Sequence, residues 1–384
     1  MLLSLSWIER SKASDILHTY EVLLSSAEQW LTDGSLNLKG PLAGIPVSLK
    51  DTVELEGYDS TIGMSTHAGK PLAHDGNTVR ILKDAGAVPY VKTNVPIALL
   101  SFESSNDIWG ETSNPYNKGY TAGGSTGDIE KEFCEKRNLR VGILRTDGVV
   151  DPSPACRRAL EMTESALRNA GHEIVEVDPP SPYEALCLAS ILLCSDGLQT
   201  VKSFFRWGEW NDRGAAQMSF YFSLPRPAGL LRNWHPQSGY EIWQLNAKRE
   251  LYKRKWFEWW DNSGIDCLIT PPNATPAVPH RGMHDACSSC GYTFIFNLLD
   301  YTAGVLPVTH VDKIRDQLPG DFSLKSLNGI AQGAYKLYDA NAMHGLPVGV
   351  QVIGRRLEEE KVLAIMKKIE EAMGDNTFPL LDID

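Results

Sequence analysis

Two short stretches carry residues suited to acid–base or nucleophilic chemistry. "GIPVSLKD" (44–51) sets Lys50 at the end of an apolar run, and "TAGGSTGDIEKEF" (121–133) sets Ser125 and Thr126 among Gly123, Gly124 and Gly127. A lysine starts near pKa ~10.4, so a neutral amine at pH 7 requires a downward shift of about three units. Burial among apolar neighbours supplies that shift at a cost of about 4 kcal/mol. The structural use of the same residue is a stem lying over apolar surface, or a pair with Asp51. The glycines around Ser125 permit close backbone approach and unusual backbone angles. Its hydroxyl then serves either a tight turn or a proton relay between the lysine and a second serine. From Asp128 onward the same stretch turns charged and reads as a solvated surface helix.

Other chemistries fit less well. A Walker A loop requires Gly-Lys-Ser/Thr after its spacer, whereas Gly127 is followed by Asp128, whose carboxylate would repel a phosphate. The dinucleotide pattern fails because Ala122 stands where its first glycine belongs. "HRGMHDACSSC" (280–290) brings His280, His284, Cys287 and Cys290 close in sequence, and these ligand types suit zinc. The two pairs abut too closely for an ordinary zinc module, which favours a proline-bounded loop with incidental thiols and no metal. "KRELYKRKWFEWWDN" (248–262) mixes basic and aromatic residues. A helix with aromatics in the core and Lys/Arg stems over them is the favoured reading, ahead of a membrane-surface helix.

The elements that must position these residues alternate along the chain. Helical spacing predicts helices over 11–31, 77–86, 154–171, 240–260, 291–300 and 357–373. Strands are expected at 44–51, 87–94, 139–145, 172–178, 266–270 and 346–353. Asn77 is read as an N-cap, and Asn94 with Pro96 as the start of a further helix. The alternation predicts an α/β layered fold with a largely parallel or mixed sheet. No stretch rich in Pro, Gly and Ser separates domains, so one large domain spanning 1–384 is expected, with residues 1–127 as its N-terminal portion and residues 128–384 as its C-terminal portion.

Composition narrows the classes further. The 384 residues are 42% hydrophobic and 22% charged, with a net charge of −11, as in a soluble globular protein. No basic stripe supports nucleic-acid binding. Seven scattered cysteines fit free thiols in a reducing compartment better than a disulfide framework. "MLLSLSWIERSK" has too short an apolar run for a signal peptide, and no apolar stretch predicts a membrane span, so a cytoplasmic location is expected.

Several longer stretches add a resemblance. "GPLAGIPVSLKDTVELEGYDSTIG" (40–63) resembles the lysine segment of the amidase signature family. "AVPYVKTNVPIALLSFESSNDIWGETSNPYNKGYTAGGSTG" (87–127) is similar to the stretch leading into that family's glycine-serine motif. "DCLITPPNATPAVPH" (266–280), "GYTFIFNLLDYTAGVLPVT" (291–309) and "HGLPVGVQVIGRRLEEEKVL" (344–363) resemble its C-terminal half, with the flavour of the fungal acetamidase-like branch. The resemblance implies one α/β domain, with helices on both faces of a mixed, twisted sheet. It implies hydrolysis of a small-molecule carboxylic amide to an acid plus ammonia or an amine, with no cofactor and no metal. Lys50 would be the general base. Ser125 would be the bridging serine, held by a cis peptide, with Gly123, Gly124, Thr126 and Gly127 supporting it. The family's nucleophile belongs to a later segment of the type Asp-Ile-Gly-Gly-Ser, whose N–H groups form the oxyanion hole. No such segment follows Gly127 here, and the next serine, Ser153, lies in "VDPSPACRR", a different motif. The chain therefore reads as an amidase that has lost an internal block after Gly127, with a catalytically inactive amidase-fold protein or a truncated gene product as the alternative. Aromatic residues of 203–260, Trp207 and Trp210 among them, are expected to line or cover an acyl pocket.

Overall fold

The computed structural model of the chain describes residues 37, 39–99, 101, 103–106, 108–114, 116–121, 138–203, 235–280, 282 and 289–374. The expected helices at 11–31 and from Asp128 lie outside these residues. So do Gly123, Gly124, Ser125, Thr126, Gly127, Trp207, Trp210, His284 and Cys287.

Near the N-terminal side, strand β1 (Pro46–Lys50), helix α1 (Asn77–Asp84) and strand β2 (Val88–Thr93) form one unit. β1 and β2 pair in parallel, with Lys50 opposite Thr93. Gly76, not Asn77, is the N-cap of α1, and Asn77 is its first helical residue. A short antiparallel hairpin of β3 (Ser105–Asn106) and β4 (Gly110–Glu111) follows. The helix expected after Asn94 is only a 3-10 turn at Ile97–Leu99.

The larger sheet begins with β5 (Arg140–Ile143), α2 (Pro154–Asn169) and β6 (Glu173–Glu176), followed by α3 (Pro182–Leu193) and the short α4 (Gln199–Ser203). Then come α5 (Gly239–Ser263), β7 (Cys267–Thr270), α6 (Gly291–Leu299), β8 (Ala303–His310), α7 (Gly329–Tyr335), β9 (Pro347–Ile353) and α8 (Glu359–Met373). The five strands lie in the order β6-β5-β7-β9-β8. β5 runs parallel to β6 and β7, whereas β9 is antiparallel to β7 and β8, so the sheet is mixed. Among the described residues β1–β2 is a separate two-stranded sheet.

Strand alternation feeds two cores, because successive side chains point to opposite faces. Cys267 and Ile269 pack with Leu160 and Leu167 of α2 and Ile365 of α8. Leu268 points the other way, into a cluster with Leu188 of α3, Trp256 of α5 and Phe296 of α6. The result is an α/β domain with helices on both faces of a mixed, twisted sheet: the alternating elements predict its layered α/β character, and the family resemblance its arrangement.

Local chemistry fixes the element ends. Ser238 and Glu241 form a reciprocal capping box at the start of α5, and Gly264 ends that helix in the left-handed region at φ 62°. Burial raises the thiol pKa values of Cys156, Cys194 and Cys267 to about 12, so these three are structural and inert.

Candidate active site

Lys50 closes β1 and is half-buried. The turn that follows is tightly held. Asp51 is 5% exposed, and its Oδ2 accepts the Ile62 N–H at 2.6 Å. Ser60 Oγ donates to the Asp51 carbonyl at 2.9 Å, and the Asp51 N–H donates to the Thr93 carbonyl at 3.2 Å. The carboxylate beside the lysine thus caps the loop that returns to Ile62 and Gly63. Gly63 sits at φ 73°, where a Cβ would meet the backbone of Pro96 and Ile97 at 3.0 Å. Lys92, on β2 beside the lysine strand, has its pKa lowered by burial, against the raising influence of Asp51 and Asp59.

Asn94 follows β2 and ties its end to the β3–β4 hairpin. Its Nδ2 donates to Thr112 Oγ1 at 2.9 Å and reaches the carbonyls of Ser104 and Gly110 at 3.3 Å. Its Oδ1 accepts from Asn106 Nδ2 at 2.6 Å and from the Val95 N–H at 2.9 Å. This consumption of the side chain across the hairpin is why no helix grows from Asn94.

The segment entering the glycine-serine motif is anchored next. The Thr121 N–H donates to the Val278 carbonyl at 3.1 Å, and the His280 N–H donates to the Gly119 carbonyl at 3.2 Å. His280 Nδ1 lies 2.6 Å from Glu111 Oε1 and 3.3 Å from Glu103 Oε1. Its Nε2 lies 3.0 Å from the Lys118 carbonyl and 3.3 Å from Ser113 Oγ. The sequence groups His280 with Cys290 as candidate zinc ligands, but Cys290 is buried at the N-cap of α6. The residues that converge on His280 are Glu103 and Glu111, which the sequence does not single out. Nothing in the spacing joins residues more than 160 positions apart.

The structure therefore places Lys50 on a braced strand end and anchors Thr121, while Ser125 and its glycines lie outside the described residues. Ser153, the first serine after Gly127, is fully buried. Its N–H donates to the Ala274 carbonyl at 2.7 Å at the N-cap of α2. That is a structural position, closed to substrate.

A lysine-bearing strand and a mixed sheet between helical layers define a class, and the comparisons name it. The sequence profile of the family described as Amidase matches residues 8–127 and 129–363, so the chain belongs to the amidase family of C–N hydrolases. It is 27% identical to fatty-acid amide hydrolase 1 of Sus scrofa, covering 89% of this chain and 77% of that protein. Acetamidase of Aspergillus oryzae is 26% identical over 87% of this chain and 78% of its own length. The alignment to the Sus scrofa protein runs over 455 positions, more than the 384 residues of this whole chain, so gaps in this chain make up part of it. In fold, a fatty acid amide hydrolase structure superposes with a TM-score of 0.76 at 19% identity, covering 94% of this chain and 79% of that one. A 6-aminohexanoate cyclic dimer hydrolase gives 0.64 at 16% identity, covering 97% and 96%. Among the described residues no helix is long and apolar enough to cross a membrane.

Proposed function

We propose that this chain derives from a Ser-Ser-Lys amidase of the fungal acetamidase-like branch and retains two of its three catalytic groups. Lys50 is the general base and Ser125 the bridging serine, supported by Gly123, Gly124, Thr126 and Gly127. The reaction of the lineage is cleavage of a carboxylic amide C–N bond to acid plus ammonia or amine, through an acyl-serine intermediate. The names of the relatives, fatty-acid amide hydrolase and acetamidase, support a carboxylic amide as the ligand class.

The observation that carries the reading is the seam at residue 128. The family match stops at 127 and resumes at 129, and no serine occurs between Gly127 and Ser153. The internal gaps implied by a 455-position alignment fit a lost block there. Among the described residues β1 and β2 form a parallel sheet of two strands, which fits it too, because parallel strands are normally buried inside larger sheets. Without the nucleophile no acyl intermediate forms, and each missing oxyanion donor withdraws about 3 kcal/mol of transition-state stabilisation. This chain is accordingly an amide-binding amidase fold without covalent turnover, and a form containing the block performs the hydrolysis.

The test is intact-mass spectrometry after treatment with a fluorophosphonate serine probe. The folded chain is expected to gain no probe mass. A single adduct that disappears in Lys50→Ala would overturn the inactive assignment, and peptide mapping would identify the serine. Transcript reads across codons 127–128 provide the complement: an in-frame Asp-Ile-Gly-Gly-Ser block in a longer form is expected.

A further inference from the structure

We propose that the outward face of α5 is a dimer interface, on which the same helix of a second copy of this chain packs antiparallel about a two-fold axis near residues 250–251. The helix carries apolar residues on two opposite sides. Leu245, Tyr252, Trp256 and Trp260 are buried in the core behind it. On the other side Tyr240 is 70% exposed, Trp243 76%, Leu251 55% and Phe257 53%. At ~3.6 residues per turn these four fall within about a third of the helix circumference and run along ~25 Å of its length. Steps of three and four residues from Tyr240 pass through Trp243, Ala247, Glu250, Arg254 and Phe257, with Leu251 alongside. That is the spacing of a seam between helices rather than of a solvated face.

Symmetry and charge identify the occupant. A two-fold contact requires a patch that complements itself. In the antiparallel pair, Arg254 of one copy faces Ala247 of the other, whose small side chain leaves room for the arginine stem. The guanidinium then lies between two residues one turn to either side of that alanine, the Glu250 carboxylate and the Trp243 ring, both of which suit a cation. The two-fold axis makes each contact twice. Within its own chain Glu250 Oε1 stands 3.6 Å from Arg249 Nε, beyond hydrogen-bond reach. An anionic lipid surface suits the stripe less well, because Glu250 and Glu258 are exposed on this side and the chain carries a net charge of −11. The size is also sufficient. Aromatic rings carry ~150–250 Å² each, so the four exposed side chains present roughly 500 Å² per copy. Covering them on both copies removes roughly 1,000 Å², where specific interfaces begin. No residue of the Lys50 region takes part, so the interface is independent of whether the chain hydrolyses amides.

The experiment is sedimentation velocity of the full chain from submicromolar to tens of micromolar concentration. A monomer–dimer equilibrium with a micromolar or tighter Kd is expected. Trp243→Ala should weaken it about tenfold or more, as loss of a central aromatic anchor does. Arg254→Glu and Glu250→Arg should each weaken it by a similar factor, and the double variant should return to within about threefold of the parent, since the two charges couple across the axis. Hydrogen exchange of the unaltered chain requires no variant: protection of 240–257 should rise with protein concentration, while α2 stays unchanged. A monomer throughout, or a dimer indifferent to Trp243→Ala, overturns the interface. A double variant that stays weak overturns the antiparallel pairing. Protection of 240–257 that is independent of concentration assigns the stripe to a segment of the same chain and refutes the proposal. Co-sedimentation of the monomer with phosphatidylserine vesicles, abolished by Trp243→Ala, assigns it to lipid and refutes it equally.

Discussion

Asn94→Ala should open the hairpin that braces the lysine strand. Three of the side chain's contacts are 2.9 Å or shorter: to Thr112 Oγ1, to the Val95 N–H and to Asn106 Nδ2. At about 1 kcal/mol net for each, the loss is about 3 kcal/mol. That corresponds to roughly a 150-fold rise in the local opening equilibrium, at about 1.4 kcal/mol per factor of ten. Hydrogen exchange with mass spectrometry reads it directly. The Thr112 N–H, which donates to the Ser104 carbonyl at 3.0 Å, and the N–H groups of Ile108 and Trp109, held by Asn106 Oδ1, should lose protection first. Asn94→Asp keeps the acceptor but turns a carboxylate toward the carbonyls of Ser104 and Gly110, so it should be no better than alanine. A change below about fivefold, or one spread equally over β5–β9, would refute this account of the hairpin.

Three further outcomes follow from buried groups elsewhere. Arg158 forks onto Asp316 through two contacts of 2.8 Å, and Asp316 is fully buried; Arg158→Met should cost about 3–5 kcal/mol in urea denaturation by leaving that carboxylate uncompensated. Burial raises the pKa of Asp147, so the folded state keeps its proton to higher pH than the unfolded chain does. Its contribution to stability is present below the unfolded carboxyl value of ~3.9 and is lost as pH rises through the folded value, so melting curves of Asp147→Asn across that window should show a flatter decline than the parent. Trp256, fully buried with Trp259 at 5.0 Å and Phe296 at 6.1 Å, should cost about 3–5 kcal/mol on truncation to alanine, with loss of near-UV circular dichroism; a cost below about 1 kcal/mol would contradict its place in the core.

What is legible in the sequence is what periodicity and punctuation encode. α2 ends as expected because Gly171 supplies positive φ, and α5 begins where Ser238 and Glu241 box its first turn. β8 escapes because Pro307 argues against a strand interior. The structure resolves this by putting β8 at the sheet edge with a register shift at that proline. α3 escapes because "PYEALCLASILL" is apolar nearly all round, which leaves little amphipathic signal. At the site, Lys50 is visible as a charged residue ending an apolar strand. The convergence of Glu103 and Glu111 on His280 is not, because only tertiary packing brings them together.

All five strands of the larger sheet come from residues 140–353, downstream of the seam at 128. Their mutual hydrogen bonds involve no residue from the first 127. The break in the family match at residue 128 thus lies outside the segment that writes this sheet's hydrogen-bonding instructions, which the chain carries as one uninterrupted run from 140 to 353.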